Sequence, residues 1–218
     1  MPSETIRVSI GTEPMQRIAG EVLRASIVRR TTAVVEFTYS WKPTEGWCPL
    51  MKQVAPMEQG TKFSVWRWLV PALYRHTGRT IYLDADMVCL ADIEELWKTM
   101  DESECHFAAV RNAIGVFGRK KPEPEHTQTS VMVMDCKRCD WNYDEMANAV
   151  SRGVFAARCK SRTGQHAKSD YAALMQAAWL PTNCIEELDP TWNHFGICRP
   201  DTRIVHWSHV KSQPYRKP

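Results

Sequence analysis

Two carboxylates separated by a single residue stand at Asp84 and Asp86, within the stretch RTIYLDADMVCLADIEEL at 79–96. In an extended chain successive side chains alternate between faces, so both acids point to the same side. Paired in this way they offer two hard oxygen ligands to a Mg²⁺- or Mn²⁺-like cation, which in turn suits a diphosphate. Ile81, Tyr82 and Leu83 precede the pair, and Met87, Val88, Cys89 and Leu90 follow it. The acids would therefore sit at the end of a buried strand, where uncompensated charge is costly. Two solvated turn aspartates are the alternative, and the apolar frame argues against it.

Several elements have to place this pair. Residues 79–84 read as its strand, and a helix follows with Asp92, Glu94 and Glu95 in a first turn that favours acids. Upstream, residues 7–11 form a strand closed by Gly11-Thr12, and Pro14 opens a helix to about Arg30. Its stripe is Ile18, Val22, Ala25, Ser26 and Arg29, widened by Leu23 and Ile27. Residues 33–39 are a second strand, so the chain begins with a βαβ unit and the class is α/β with a parallel sheet. The turn is not G-x-G-x-x-G, so no dinucleotide fingerprint is present. Residues 40–60 carry three prolines and two glycines and read as a long loop, with Trp41 and Trp47 expected against the core. Residues 61–76 are a helix capped at Gly60 or Thr61, with an apolar stripe of Phe63, Trp66, Val70 and Leu73 and a kink or break at Pro71. Strands follow at 106–112 and 130–135, with a loop at 113–127 between them. Residues 137–166 look helical only around 144–152. Ser169 caps a helix over 170–179, and the last strand is 203–207.

A chain of 218 residues, 44% hydrophobic and 24% charged, can bury a sizeable core in one domain. No run of about 18 apolar residues occurs, so no membrane span is expected. The N-terminus lacks a basic stretch followed by an apolar one, so a cytoplasmic protein without a signal peptide is expected. Eight cysteines without framework spacing point to reduced thiols. Cys136 and Cys139 form a C-x-x-C, but Cys159, His166 and Cys184 supply no second pair at zinc spacing. The net charge is +3, unevenly spread. Residues 111–168 hold 11 Lys and Arg against 6 acids, 199–218 hold 5 against 1, and 169–198 hold 4 acids and no Lys or Arg.

The block YLDADMVCLADIEELW resembles the metal-binding core of glycosyltransferase family 8. That resemblance implies a GT-A fold, Rossmann-like, with a mixed, mostly parallel central sheet flanked by helices, as a single domain over 1–218. It implies hexosyl transfer from a UDP-sugar with retention of configuration and Mn²⁺ (or Mg²⁺) as cofactor. IVHWS is similar to the family's C-terminal Ile-x-His, which makes His206 a third metal ligand beside Asp84 and Asp86; an imidazole suits Mn²⁺ better than Mg²⁺. RWLVP resembles a helical pattern whose arginine contacts the donor, so Arg67 would grip a phosphate in two-point fashion. Lys62 and Lys211 are further donor-binding candidates, Gly11 and Thr12 would lie near the uridine, and Ala85 joins Asp84 on the donor side. Asp170, Gln128 and Asn112 would orient sugar and acceptor. Asn112 stands where the family carries an acid, Ser130 replaces a glycine, and Tyr171 replaces a glutamine.

Three functional classes follow. The first is a metal-dependent glycosyltransferase. The second is a sugar-nucleotide-binding protein with little turnover, which the replacements at 112, 128, 130 and 171 would fit. The third is a divalent-metal nucleotidyltransferase or phosphohydrolase, whose usual glycine-rich phosphate loop is missing. If the basic segments face the acceptor, a polyanion is expected there: hydroxymethylated DNA or a lipopolysaccharide core. An ordinary solvated basic loop with a small glycan acceptor is the alternative.

Overall fold

Alternating burial builds the sheet. In the computed structural model, which describes residues 5–40, 62–111, 127–196, 198–208 and 213 (Lys62 and Phe63 by backbone alone), IRVSIG forms β1 (Ile6–Gly11). A 3-10 turn at Pro14–Gln16 leads into α1 (Arg17–Val28), and β2 (Val35–Tyr39) returns parallel to β1. After α2 (Trp66–Leu73) come β3 (Arg79–Asp84), β4 (Met87–Cys89) and α3 (Ile93–Lys98). Strands β5 (Phe107–Arg111) and β6 (Thr127–Asp135) precede three helices, α4 (Tyr143–Ser151), α5 (Phe155–Thr163) and α6 (Asp170–Met175). The short strands β7 (Ile185–Leu188), β8 (His194–Phe195) and β9 (Ile204–His206) follow.

The main sheet runs β2-β1-β3-β6-β5-β7, and its pairings leave β6 alone opposed to the other five strands. A mixed, mostly parallel sheet is what the sequence suggested. A smaller sheet, β4-β9-β8, continues from it. Side chains alternate across the main sheet into two cores. Ile81, Leu83, Val131 and Val133 join α1 and α3 on one face; Tyr82, Phe107, Met132 and Met134 join α2 and α4–α6 on the other. No helix among the described residues is long and apolar enough to cross a membrane. The seven described cysteines carry free thiols.

Some local expectations change. The buried face of α1 is Ala19, Leu23, Ser26 and Ile27, whereas Ile18 is 68% exposed and Val22 and Ala25 also face outward. The Ser26 hydroxyl explains the rotation: it donates to Leu23 O and accepts the Cys89 amide of β4, a backbone donor that burial would otherwise orphan. Helix α2 passes through Pro71 without a break and stops at Leu73, before Arg75 and His76 turn left-handed. Residues 155–163, expected to be irregular, form α5. The helix capped by Ser169 ends at Met175, before the left-handed Ala177, instead of reaching 179. Trp41 and Trp47 lie outside the described residues.

Candidate metal centre

The two acids stand at the elbow where the main sheet hands the chain to the small one. Burial alternates along it: Ala85, Met87 and Cys89 face the core, while Asp84, Asp86 and Val88 are half-buried on the other side. Ala85 is anchored by its amide to Gly11 O at 2.9 Å. Antiparallel pairing of β4 with β9 sets Met87 opposite His206, and Trp207 N donates to Asp86 O at 2.8 Å. This register carries the imidazole across 120 residues of sequence to the acid pair. One ligand atom from each of Asp84, Asp86 and His206 lies within 4.8 Å of the others.

Asp84 is held by two groups on its own face of the sheet. Arg67 Nη2 donates to both of its oxygens, at 3.0 and 3.2 Å, and the Tyr82 hydroxyl donates to Oδ1 at 2.6 Å. Arg67 is only 4% exposed; its Nε donates to Ser64 O and its Nη1 to Thr129 Oγ1, both at 2.8 Å. Thr129 in turn donates to Met175 O at the end of α6. Burial works most strongly against the guanidinium charge, but Asp84, Tyr82 and Tyr171 together outweigh it and the Arg67 pKa moves up. Burial pushes the Tyr82 hydroxyl well above its usual range, so it stays a donor. Burial also raises the Asp84 carboxyl; Asp86 adds to this and Arg67 opposes it. A divalent cation would reverse that direction, because it favours the charged carboxylate.

Asp86 meets the imidazole. His206 Nε2 lies 3.2 Å from Asp86 Oδ1, and Nδ1 lies 3.0 Å from Asn193 Oδ1. Asn193 donates through Nδ2 to Ser130 Oγ at 2.9 Å, which orients its carbonyl toward the ring. The Nδ1 proton therefore goes to Asn193, and Nε2 presents its lone pair to Asp86. Two acceptor atoms at 3.2 Å need a proton or a metal cation between them. Two carboxylates and one imidazole fit Mn²⁺ in ligand type. Gln213 Nε2 donates to Asp86 Oδ2 at 3.3 Å and to Trp207 O at 3.1 Å, closing the outer side.

Of the residues expected around the donor and acceptor, Arg67, Asp84, Asp86 and His206 converge, whereas the Ala85 side chain turns into the core between the two acids. Gly11 pairs with Asp84 in register, and a Cβ there would lie 2.0 Å from the Tyr82 hydroxyl, so the missing side chain is what lets Tyr82 reach Asp84. Thr12 is buried, with its amide donating to Ser40 Oγ at 2.7 Å. Gln128 is half-buried near the start of β6. Asp170 Oδ1 accepts the Ala156 amide at 2.8 Å and so caps the first turn of α5; its neighbour Tyr171 reaches Ser64 Oγ at 3.3 Å. Asn112, Lys211 and the Lys62 side chain lie outside the described residues. Sequence reasoning passed over Tyr82, Asn193 and Gln213. Tyr82 was within reach, since it stands two residues before Asp84 on the same face; Asn193 and Gln213 carried no local signal.

The sequence model of glycosyl transferase family 8 matches residues 36–161. The chain is similar to Protein CDI of Arabidopsis thaliana, with 30% identity over 96 residues, 44% of this chain and 37% of that protein. The match thus spans well under half the length of that curated relative. Among solved structures, mouse xyloside xylosyltransferase 1 superposes with a TM-score of 0.61 at 11% identity, over 94% of this chain and 98% of that one. The galactosyltransferase LgtC, in complex with donor and acceptor sugar analogues, gives 0.63 at 11% identity over 94% and 88%. A glycosyltransferase involved in glycosylation of the major capsid of PBCV-1 gives 0.53 at 12% identity over 96% of both chains. At such identities the likeness is one of fold, that of GT-A glycosyltransferases.

Proposed function

Since the chain belongs to glycosyl transferase family 8, we propose that it transfers a hexosyl group from a UDP-sugar to an acceptor hydroxyl, with retention of configuration. The observation that carries this reading is the convergence of Asp84, Asp86 and His206 within 4.8 Å at the C-terminal end of a parallel strand. Those three side chains would hold Mn²⁺, which, when bound, supplies positive charge against the leaving diphosphate. Arg67 keeps Asp84 oriented and has one Nη1 hydrogen left for a donor phosphate, since its other contacts engage Ser64, Thr129 and Asp84. In the transfer itself the bond from the anomeric carbon to the diphosphate oxygen breaks as the acceptor oxygen bonds on the same face. The acceptor proton passes to the leaving phosphate oxygen, so no side-chain base is required. Asp170, Gln128 and Asn112 are proposed to orient sugar and acceptor, Asp170 through Oδ2 because Oδ1 holds the start of α5. The test is UDP release from a panel of UDP-sugars with Mn²⁺ and without acceptor. Release that stops with chelator and with Asp86→Ala supports transfer; donor binding without release supports a sugar-nucleotide-binding protein.

For the acceptor we propose a polyanion, hydroxymethylated DNA or a lipopolysaccharide core. The support is charge alone: the basic triplet 119–121 and the surplus over 199–218. Other basic residues of the 111–168 segment, Arg138, Arg158 and Arg162, line a cleft elsewhere, so they add nothing to this reading. A DNA base would have to flip out of the duplex to reach the donor. Binding to hydroxymethylated duplex would fall steeply between about 50 and 200 mM salt. No binding at the lower salt, or no transfer to that duplex, leaves a glycan acceptor.

A further inference from the structure

At the opposite end of the main sheet, a cleft of about 250 Å³ opens beneath the starts of β5 and β7, between α4 and α5. Arg79 pairs with Asp135 at that end and stands five residues before Asp84, so about 17 Å of strand separates the cleft from the metal ligands. Its floor is apolar: Trp141, Phe155 and Trp179 contribute, and Trp141 and Trp179 meet edge to face. The rim is cationic. Arg158 lies on the exposed side of α5 without a side-chain partner among the described residues. Arg162 has only a loose 4.0 Å contact with Glu145, between side chains 66% and 55% exposed, a pairing worth little in water. Asp140, the other acid of the rim, lies 3.9 Å from His76 Nδ1.

Among the described residues, one buried donor beside this cleft lacks an acceptor: the indole N–H of Trp179, a residue only 8% exposed, while the His106 ring stacks on Trp141 at 13°. Buried indole N–H groups normally find an acceptor; Trp68 Nε1 shares the lack deeper in the same cluster, but Trp179 is the one that lines the cleft beside the arginine rim, where the oxygen of a bound anion would supply it. The volume lies between a cavity that accepts benzene and the usual range for drug-sized ligands. We infer that this cleft binds a small organic anion with an apolar body, the ring or chain on the tryptophan floor and the anionic group at Arg158 and Arg162. It is a site separate from the metal centre, and its occupation requires neither UDP-sugar nor divalent ion.

The experiment is calorimetric titration of the full chain, with Mn²⁺ and UDP present and absent. The probes are 2-naphthoate, its uncharged partner 2-naphthamide, and decanoate. Naphthoate should bind equally in both conditions and at least tenfold more tightly than the amide. Decanoate distinguishes an alkyl from an aryl occupant by which acid binds more tightly. Arg158→Glu with Arg162→Glu, both on solvent-facing positions, should weaken naphthoate at least tenfold. Ala149→Phe, which fills the cleft, should abolish binding; its fold is checked by circular dichroism, and the surface pair stands if that variant misfolds. Ile18→Glu, on the exposed side of α1, is the control and should bind as wild type. No heat with either acid at millimolar concentration overturns the inference. So does displacement of naphthoate by UDP and Mn²⁺, or wild-type affinity in the Arg158 and Arg162 variant.

Discussion

Where β3 turns into β4, Asp84, Asp86, Arg67, Tyr82 and His206 answer one another's charges and hydrogen bonds at 2.6 to 3.2 Å. Where β5 and β7 begin, the Trp179 indole N–H has no partner among the described residues and lies beneath exposed arginines. Both ends belong to one sheet and share the aromatic core between them. The first end is a polar network that crowds negative charge and that a cation would complete. The second is an apolar floor under positive charge and is completed by an anion. The contrast follows from which groups are left over once each end has folded, not from how polar each end is.

The largest effect should separate the two acids from each other. Asp86→Ala removes a candidate ligand that faces the His206 imidazole and the Gln213 amide and strands no buried guanidinium, so UDP release should be lost while melting changes less than in Asp84→Ala. Asp84→Ala should lose turnover as well and also cost about 3–5 kcal/mol, because it strands the buried Arg67 charge. Replacing both partners, Arg67→Met with Asp84→Leu, should recover most of that stability without activity. Urea titration of the three variants checks this; equal midpoints for Asp84→Ala and Asp86→Ala would break the picture of Arg67 and Asp84 as a buried pair.

Next in size is the support behind the imidazole. Asn193→Ala frees His206 Nδ1 and should weaken Mn²⁺ binding roughly 10–100-fold, the usual effect of losing such a partner. Measured Mn²⁺ affinity unchanged in this variant would remove Asn193 from the metal centre. Gly11→Ala drives a methyl group into the Tyr82 hydroxyl and should cost about 1–3 kcal/mol, as overpacking does. Pairing it with Tyr82→Phe should relieve part of that loss in thermal melts, since the clashing oxygen is then gone.

The smallest effect tests the far end. Burial, and then the Arg138 charge, hold the His106 pKa below its usual 6.5. The folded protein therefore prefers the neutral ring, while the unfolded chain takes up a proton near pH 6.5. This contribution to stability is present above that pH and is lost as pH falls through the lowered folded value. His106→Gln should flatten the corresponding slope in urea midpoints between neutral and mildly acidic pH. An identical slope in the variant would mean that the His106 pKa is not lowered in the folded protein.

What the sequence determined by itself is local and periodic. The shared face of Asp84 and Asp86 follows from strand geometry alone, and the Ser169 cap from its place before a helix, where it accepts the Ala172 amide; Asp92, read as a first-turn acid, instead caps α3 by accepting the Glu94 amide. The YLDAD-to-LW block and IVHWS carried the family, and the strand–helix–strand pattern over 7–39 carried the α/β class, because residue types and periodicity are fixed within each segment. The tertiary structure decided what depends on neighbours distant in the chain. Helix α1 shows one wide apolar stripe in sequence, and only its packing on β4, where Ser26 takes the Cys89 amide, turns Ala19, Leu23 and Ile27 inward and leaves Ile18 and Val22 outside. Arg67 was legible as a cation for phosphate, but packing of α2 on β3 turns it onto Asp84. Asp170 was legible as an acid before a helix, and only the approach of α5 gives its Oδ1 an amide to cap. His206 reaches Asp86 through strand pairing, and its ring is set by Asn193, 13 residues away in sequence and recognisable only once β8 and β9 lie side by side. Backbone periodicity needs no partner to be read, whereas a hydrogen bond between distant segments exists only after the chain has closed on itself.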